Sequence, residues 1–283
     1  MKNRKKEYWK QQMDLGYDFM QRIMNYPVEE SMEKLVDLTY TAKQAGVKVK
    51  FSGVSRTTVS KPVFFLREGI IDNFLSAAEE LNRKGLIMRV EDAFRTRQMQ
   101  NPLNRPQKVF DSIMRIIIWE CDGRVPEPDF VFKRITALIA TIPKICTHMS
   151  GSAIDISVLS MKTGKEIDRG EAYLAMNEKT FMDSIFISER ARENREFITH
   201  IMKKNGFYAY PFEFWHYSCN DAFAQYLSES GKPAIYGPVD MIDENGKVGA
   251  IKDYNKPLFS PDEIKKKLEE SLIRLKKQKT ISI

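Results

Sequence analysis

The strongest constraint on the fold is an interleaving of two apolar periodicities. Short runs suited to strands, Val47 to Phe51, Leu86 to Val90, Ala153 to Leu159, Phe207 to Tyr210 and Phe214 to Tyr217, alternate with longer stretches whose apolar residues recur at helical spacing. The first helical stretch runs from Tyr8 to about Gly46, through Met20, Ile23 and Met24 and then Met32, Leu35, Val36 and Leu38, with Pro27 placed to open a second helix. Further helices are predicted over Glu68 to Lys84, stopped by Gly85, then Pro106 to Trp119, Phe130 to Ile142 and Ser188 to Lys204. The run Ser260-Pro261-Asp262-Glu263 is a capping box with proline at the first helical position, opening a lysine-rich amphipathic helix to about Lys277. Such a mixture predicts an α+β fold with a central antiparallel sheet flanked by helices.

Composition narrows the class without naming a function. At 42% hydrophobic and 29% charged residues, the 283-residue chain can bury a core, as one domain or two. Cys121, Cys146 and Cys219 are odd in number and lack a C-x-x-C spacing, which argues against a disulfide framework or a thiolate zinc cluster and fits a reducing compartment. The basic start Lys2-Asn3-Arg4-Lys5-Lys6 is not followed by a continuous apolar run, and nothing approaches the roughly 18 apolar residues of a membrane span. A cytoplasmic protein is expected. The net charge of +7 is spread along the chain without a nucleic-acid motif, so no nucleic-acid partner is expected, and the lysine-rich final helix reads as a solvated face. The oligomeric state is not legible.

Chemistry concentrates around two of the three histidines. His148-Met149-Ser150-Gly151-Ser152-Ala153-Ile154-Asp155 and Glu213-Phe214-Trp215-His216 are polar clusters set among apolar and aromatic residues, whereas His200 lies in a helix with no motif beside it. A catalytic zinc site commonly has three nitrogen or oxygen ligands and a fourth position for water, and His148, Asp155 and His216 would supply that set. Gly151 and Ser152 are small enough to let the chain turn so that His148 and Asp155 converge. Glu213 lies three residues before His216, an odd offset that on a straight strand would put the two on opposite faces. A bend is therefore required if Glu213 is to sit beside a metal-bound water, whose pKa zinc would lower to about 7, and act as its base.

The pattern His148-x-x-Gly151-x-Ala153-x-Asp155, followed some sixty residues later by Glu213-x-Trp215-His216, resembles the zinc D-Ala-D-Ala peptidases, which include the vancomycin-resistance dipeptidases and related D,D-carboxypeptidases. Upstream, Glu91-Asp92-Ala93-Phe94-Arg95-Thr96 is similar to the Tyr-Asp-Gly/Ala-Tyr-Arg-Pro segment of that family, with Thr96 in place of the usual proline and Arg97 a competing arginine two residues on. The resemblance implies one zinc per chain on His148, Asp155 and His216, with Glu213 as catalytic base and Arg95 stabilising the transition state. It also implies a substrate contact at position 146, where Cys146 stands for the family's serine; Trp215 is read separately as packing beneath the site.

The implied activity is attack of zinc-bound hydroxide on D-Ala-D-Ala or a similar short D-amino-acid peptide, cell-wall chemistry confined to a small substrate. A D,D- or L,D-carboxypeptidase acting on muropeptides is the neighbouring alternative. From a different class comes a zinc-stabilised binding module without catalysis, since hedgehog signalling domains share this fold. The expected organisation is an N-terminal helical extension over 1–60, a catalytic domain over 61–236 and a C-terminal tail over 237–283.

Overall fold

A computed structural model describes residues 2–53 and 63–277. The boundary expected at residues 60 and 61, Met1 and positions 278–283 lie outside the described residues. In chain order the elements are α1 (Lys2–Met24), β1 (Leu35–Asp37), α2 (Leu38–Gln44), β2 (Val49–Phe51), β3 (Phe65–Arg67), α3 (Ile71–Arg83), β4 (Leu86–Asp92), α4 (Arg97–Gln100), α5 (Gln107–Glu120) and α6 (Pro128–Ile139). They continue with β5 (Ala153–Ser160), α7 (Glu189–Lys204), β6 (Tyr208–Ala209), β7 (His216–Ser218), α8 (Ala222–Leu227), β8 (Val239–Met241), β9 (Val248–Ala250) and α9 (Pro261–Lys277).

The fold is α+β. Its central sheet has the order β2-β4-β5-β7-β6 and is antiparallel except at the β2–β4 edge, which is parallel. A parallel neighbour needs a crossover, and the chain supplies one by passing through α3 between β2 and β4. Side chains alternate across β5. Ile154, Ile156 and Val158 pack with Phe74, Ala77, Ala78 and Leu81 of α3 and with Ile198, Ile201 and Met202 of α7. Asp155 and Ser157 consequently face the other way, where the site lies.

On α3 the buried positions Ile71, Phe74, Ala77, Ala78 and Leu81 recur every three or four residues, which makes one helical face apolar and fixes it on the sheet. A second core joins α5, α6 and α9, and a third joins α1, the 142–145 turn and α8. The capping box closes α9 as expected: the Ser260 amide donates to Glu263 and the Glu263 amide to Ser260 Oγ.

The terminal regions are packed into the body of the molecule. Arg134 of α6 is buried against Glu120 of α5, reaches Asp14 of α1 at 2.6 Å, and Glu120 also accepts from the Trp9 indole at 3.3 Å. Arg67, wholly buried, donates to the carbonyls of Ser150 (2.6 Å), Glu33 (2.7 Å) and Gly237 (3.3 Å) and pairs with Glu30 at 2.9 Å. No described helix is long and apolar enough to cross a membrane.

The sequence reading is corrected between Pro27 and Asp37. The second helix begins at Leu38, not Pro27, because Asp37 caps it by accepting from the Thr39 and Tyr40 amides, while Leu35–Asp37 pairs with Phe65–Arg67 as a strand. The spacing of Met32, Leu35, Val36 and Leu38 mimics a helix, but long-range pairing claims these residues.

Candidate metal centre and its cavity

Three strands carry the site across one face of the sheet. Asp155 of β5 is directly opposite His216 of β7, and a β-bulge in β4 between Val90 and Asp92 sets Asp92 opposite Asp155 on its other side. Without the bulge Glu91 would oppose Asp155, so the extra residue is what brings Asp92, and the arginine it holds, to this face. His148 comes from a 3-10 turn, Thr147–Ser150, that ends at Gly151 with φ of 69°. That left-handed conformation favours glycine, and a Cβ there would lie 2.5 Å from Leu35 Cδ2. The turn expected at Gly151 is present and aims His148 back at Asp155.

Ligating atoms of His148, Asp155 and His216 all lie within 4.8 Å of one another, and all three side chains are buried. His148 Nδ1 is 2.6 Å from the Ala93 carbonyl and must donate to it, which leaves the Nε2 lone pair facing Asp155 Oδ1 at 3.3 Å. For His216 the roles are exchanged: Nε2 is 2.9 Å from Thr147 Oγ1, and Nδ1 is 2.9 Å from the same Asp155 oxygen. With Nε2 donating to Thr147, two nitrogen lone pairs and a carboxylate converge on one point, an arrangement that requires a proton or a cation between them. A four-coordinate zinc with bonds of about 2.0 Å separates neighbouring ligand atoms by roughly 3.3 Å. The donor set and its spacing fit a zinc ion held by His148 Nε2, Asp155 Oδ1 and His216 Nδ1, each histidine oriented through its other nitrogen. Burial alone would raise the Asp155 carboxyl, but the His148 and His216 imidazoles hold it well below the usual carboxylate range.

Glu213 meets the requirement for a bend. The Glu213 carbonyl accepts from the His216 amide at 3.1 Å, closing a turn just before β7, and both side chains line one cavity. Burial pushes the Glu213 carboxyl up to about 7, with Asp155 adding to the rise and His216 and Arg95 opposing it. A carboxyl near neutrality can both take and return a proton.

Arg95 is buried and fixed from two sides. Its Nε and Nη2 are 3.0 and 2.9 Å from Asp92 Oδ2, its Nη1 is 3.2 Å from Gln100 Oε1, and Nη2 is 4.0 Å from Asp155 Oδ2. Burial disfavours the guanidinium charge, yet Asp92 and Asp155 outweigh it and raise the Arg95 pKa. The competing Arg97 is exposed and is absent from the cavity wall, and His200 is exposed on α7.

Cys146 is buried in the cavity wall, with Sγ against the Ala140 and Ile142 carbonyls, and burial raises its pKa, so it stands there as a thiol. Trp215 packs edge-on against Phe214 and Tyr173 beside the site.

Sequence reasoning missed Tyr173 and Thr147. The Tyr173 hydroxyl donates to Asp155 Oδ2 at 2.9 Å, and burial with the neighbouring Asp155 and Asp92 raises its pKa so that it remains a donor. Tyr173 lies in the irregular segment between β5 and α7, where no spacing rule points inward. Thr147 is adjacent to His148, and its only signal was that adjacency.

The same cavity, of about 670 Å³, extends from the metal ligands to an apolar wall formed by α1, α5 and α6.

Known proteins share parts of this sequence and fold. A D-alanyl-D-alanine dipeptidase of Enterococcus faecium is 35% identical over 75 residues, covering 26% of this chain and 37% of that protein. One of Enterococcus faecalis (strain ATCC 700802 / V583) is 32% identical over 75 residues with the same coverages, so the chain spans little more than a third of these relatives' length. Among solved structures, a variant of the vancomycin-resistance D,D-pentapeptidase VanY from a VanB-type resistance cassette, in complex with Zn(II), matches at 15% identity with a TM-score of 0.34, over 67% of this chain and 89% of that one. The family model described as D-Ala-D-Ala dipeptidase matches residues 65–230, more than half of the sequence, and takes in every residue of the site. This chain belongs to the D-Ala-D-Ala dipeptidase family.

Proposed function

We propose that the protein is a zinc metallopeptidase, with one zinc per chain, that hydrolyses D-Ala-D-Ala or a similar short D-amino-acid peptide. The observation that carries this reading is the convergence of His148, Asp155 and His216 with Glu213 and Arg95 on one cavity. Zinc held by His148, Asp155 and His216 would supply Lewis acidity and make water a nucleophile at neutral pH.

The chain's own residues divide the remaining work. Glu213, ionised, takes the proton of the attacking water and returns it to the leaving amine. Arg95, held by Asp92 and Gln100, presents its guanidinium to the oxyanion that develops on the scissile carbonyl. Tyr173 and Thr147 fix Asp155 and His216 from behind. Cys146 contributes a neutral wall contact to the substrate. The catalytic unit runs over residues 61–236, with the two terminal regions as structural partners, and its compartment is the reducing cytoplasm, a reading supported by three free cysteines.

Release of D-alanine from D-Ala-D-Ala by the zinc-loaded protein tests the proposal. Turnover is expected to disappear on chelation and in Glu213→Gln, the latter with zinc still bound. Cleavage confined to a longer peptide ending in D-Ala-D-Ala would reassign the protein as a carboxypeptidase. No cleavage of either peptide, with zinc bound, would defeat the D-Ala-D-Ala assignment and favour a binding module.

A further inference from the structure

The cavity is larger and more apolar than two methyl side chains require. Its volume of about 670 Å³ falls in the range that encloses a drug-sized ligand. Away from the metal ligands its wall is built by Trp9, Met13 and Gly16 of α1, Ile113 and Ile116 of α5 and Leu138 of α6. Among the described residues that line it, the carboxylates are Asp155 and Glu213, both in the site, and the charge outside the site is the exposed Lys108. Gln12, Ser112 and Thr180 also line it, so the wall offers only a few partners for the many amides, hydroxyls and carboxylates of a polar glycopeptide.

A second, independent observation points to a ligand. Tyr210 is buried and lines the same cavity, yet its hydroxyl has no hydrogen-bond partner among the described residues. Buried hydroxyls are rarely left unpaired, and an unpaired one calls for a partner, which a bound peptide could supply.

Resting on the peptidase reading above, we propose that the substrate of this site is a short peptide bearing a bulky apolar side chain, which fills the chamber walled by α1, while Tyr210 hydrogen-bonds its backbone. The N-terminal helix is then a specificity element. Its position over the chamber is held by the Asp14–Arg134–Glu120 network and by the Trp9 indole.

The test compares kcat/KM of the zinc-loaded full chain for D-Ala-D-Ala, D-Ala-D-Phe, D-Phe-D-Ala and D-Ala-D-Leu. At least one bulky peptide is expected to exceed D-Ala-D-Ala by about tenfold or more, since single apolar groups in a fitted pocket discriminate by that order. Gly16→Leu, which adds bulk to the chamber wall and suits a helix better than glycine, is expected to reduce that preference about tenfold. Tyr210→Phe is expected to raise KM several-fold with little change in kcat. Equal or better turnover of D-Ala-D-Ala would overturn the inference and leave the peptidase reading intact. If no peptide is cut, the peptidase reading fails. Calorimetric binding of D-Ala-D-Phe and D-Ala-D-Ala to zinc-loaded Glu213→Gln then decides the chamber: tighter binding of the phenylalanyl peptide supports it, and equal binding overturns it.

Discussion

The two ends of the cavity are built by different physics. At the sheet end each group is held by directed bonds: Asp155 answers to His148, His216 and Tyr173, and Arg95 to Asp92 and Gln100. At the helical end Met13, Ile113 and Leu138 present apolar side chains whose packing fixes volume and leaves bond direction free, on helices whose polar anchors lie behind the wall. On the function and substrate proposed above, chemistry and selectivity reside in separable parts of one chamber, with the sheet end addressing the scissile bond and the helical end the side chains that reach it.

The sharpest way to break this division is Asp155→Ala, expected to abolish bound zinc and to lower turnover by about 10⁴-fold or more, as read by metal analysis and peptide hydrolysis. Retention of one zinc per chain would show that the three-strand geometry does not define the metal site. Away from the cavity, Met114→Ala in the α5–α6–α9 core should cost about 2–5 kcal/mol in urea unfolding while leaving zinc stoichiometry at one. Lost zinc in that variant would mean that the two ends are not separable.

A pH experiment probes the sheet end without ligand removal. Glu213 titrates at about 7 in the folded chain against an ordinary 4.5, so folding binds its proton more tightly than the unfolded chain does. The resulting destabilisation is absent below about pH 4.5, grows between pH 4.5 and 7, and is complete above it. Metal-free Glu213→Gln should therefore match the metal-free wild type near pH 4 and exceed it by up to about 3 kcal/mol at pH 8. A constant difference across that range would assign the effect to packing. The smallest expected change is Thr147→Val, which removes the nearer of the two hydroxyls on His216 Nε2 and should weaken zinc binding about tenfold in a chelator competition.

Much of the sheet end was legible because its signals are local. His148, Gly151 and Asp155 lie within eight residues and Glu213 to His216 within four, so turn chemistry and ligand type could be read together. Even the bend at Glu213 followed from strand periodicity. The helical end was not legible, because nothing in the spacing of Met13, Met20 or Ile113 says which apolar face lines a void and which fills a core. Tyr173 was equally silent, since its hydrogen bond to Asp155 depends on how the segment between β5 and α7 folds back. The parallel pairing of β2 and the strand at Leu35–Asp37 share that cause: both are set by partners far along the chain.

Arg67 ties together stretches far apart along the chain. One guanidinium joins the carbonyl of Ser150, two residues after His148, to Glu30 and Glu33 in the segment after α1 and to Gly237 near the last hairpin. The loop that carries His148 is therefore tied through one side chain to both terminal regions, and amide exchange in the three stretches is expected to follow one shared opening. A group that grips His148 is therefore expected to slow exchange at the Gly237 amide, which donates to Glu30 away from the proposed metal ligands.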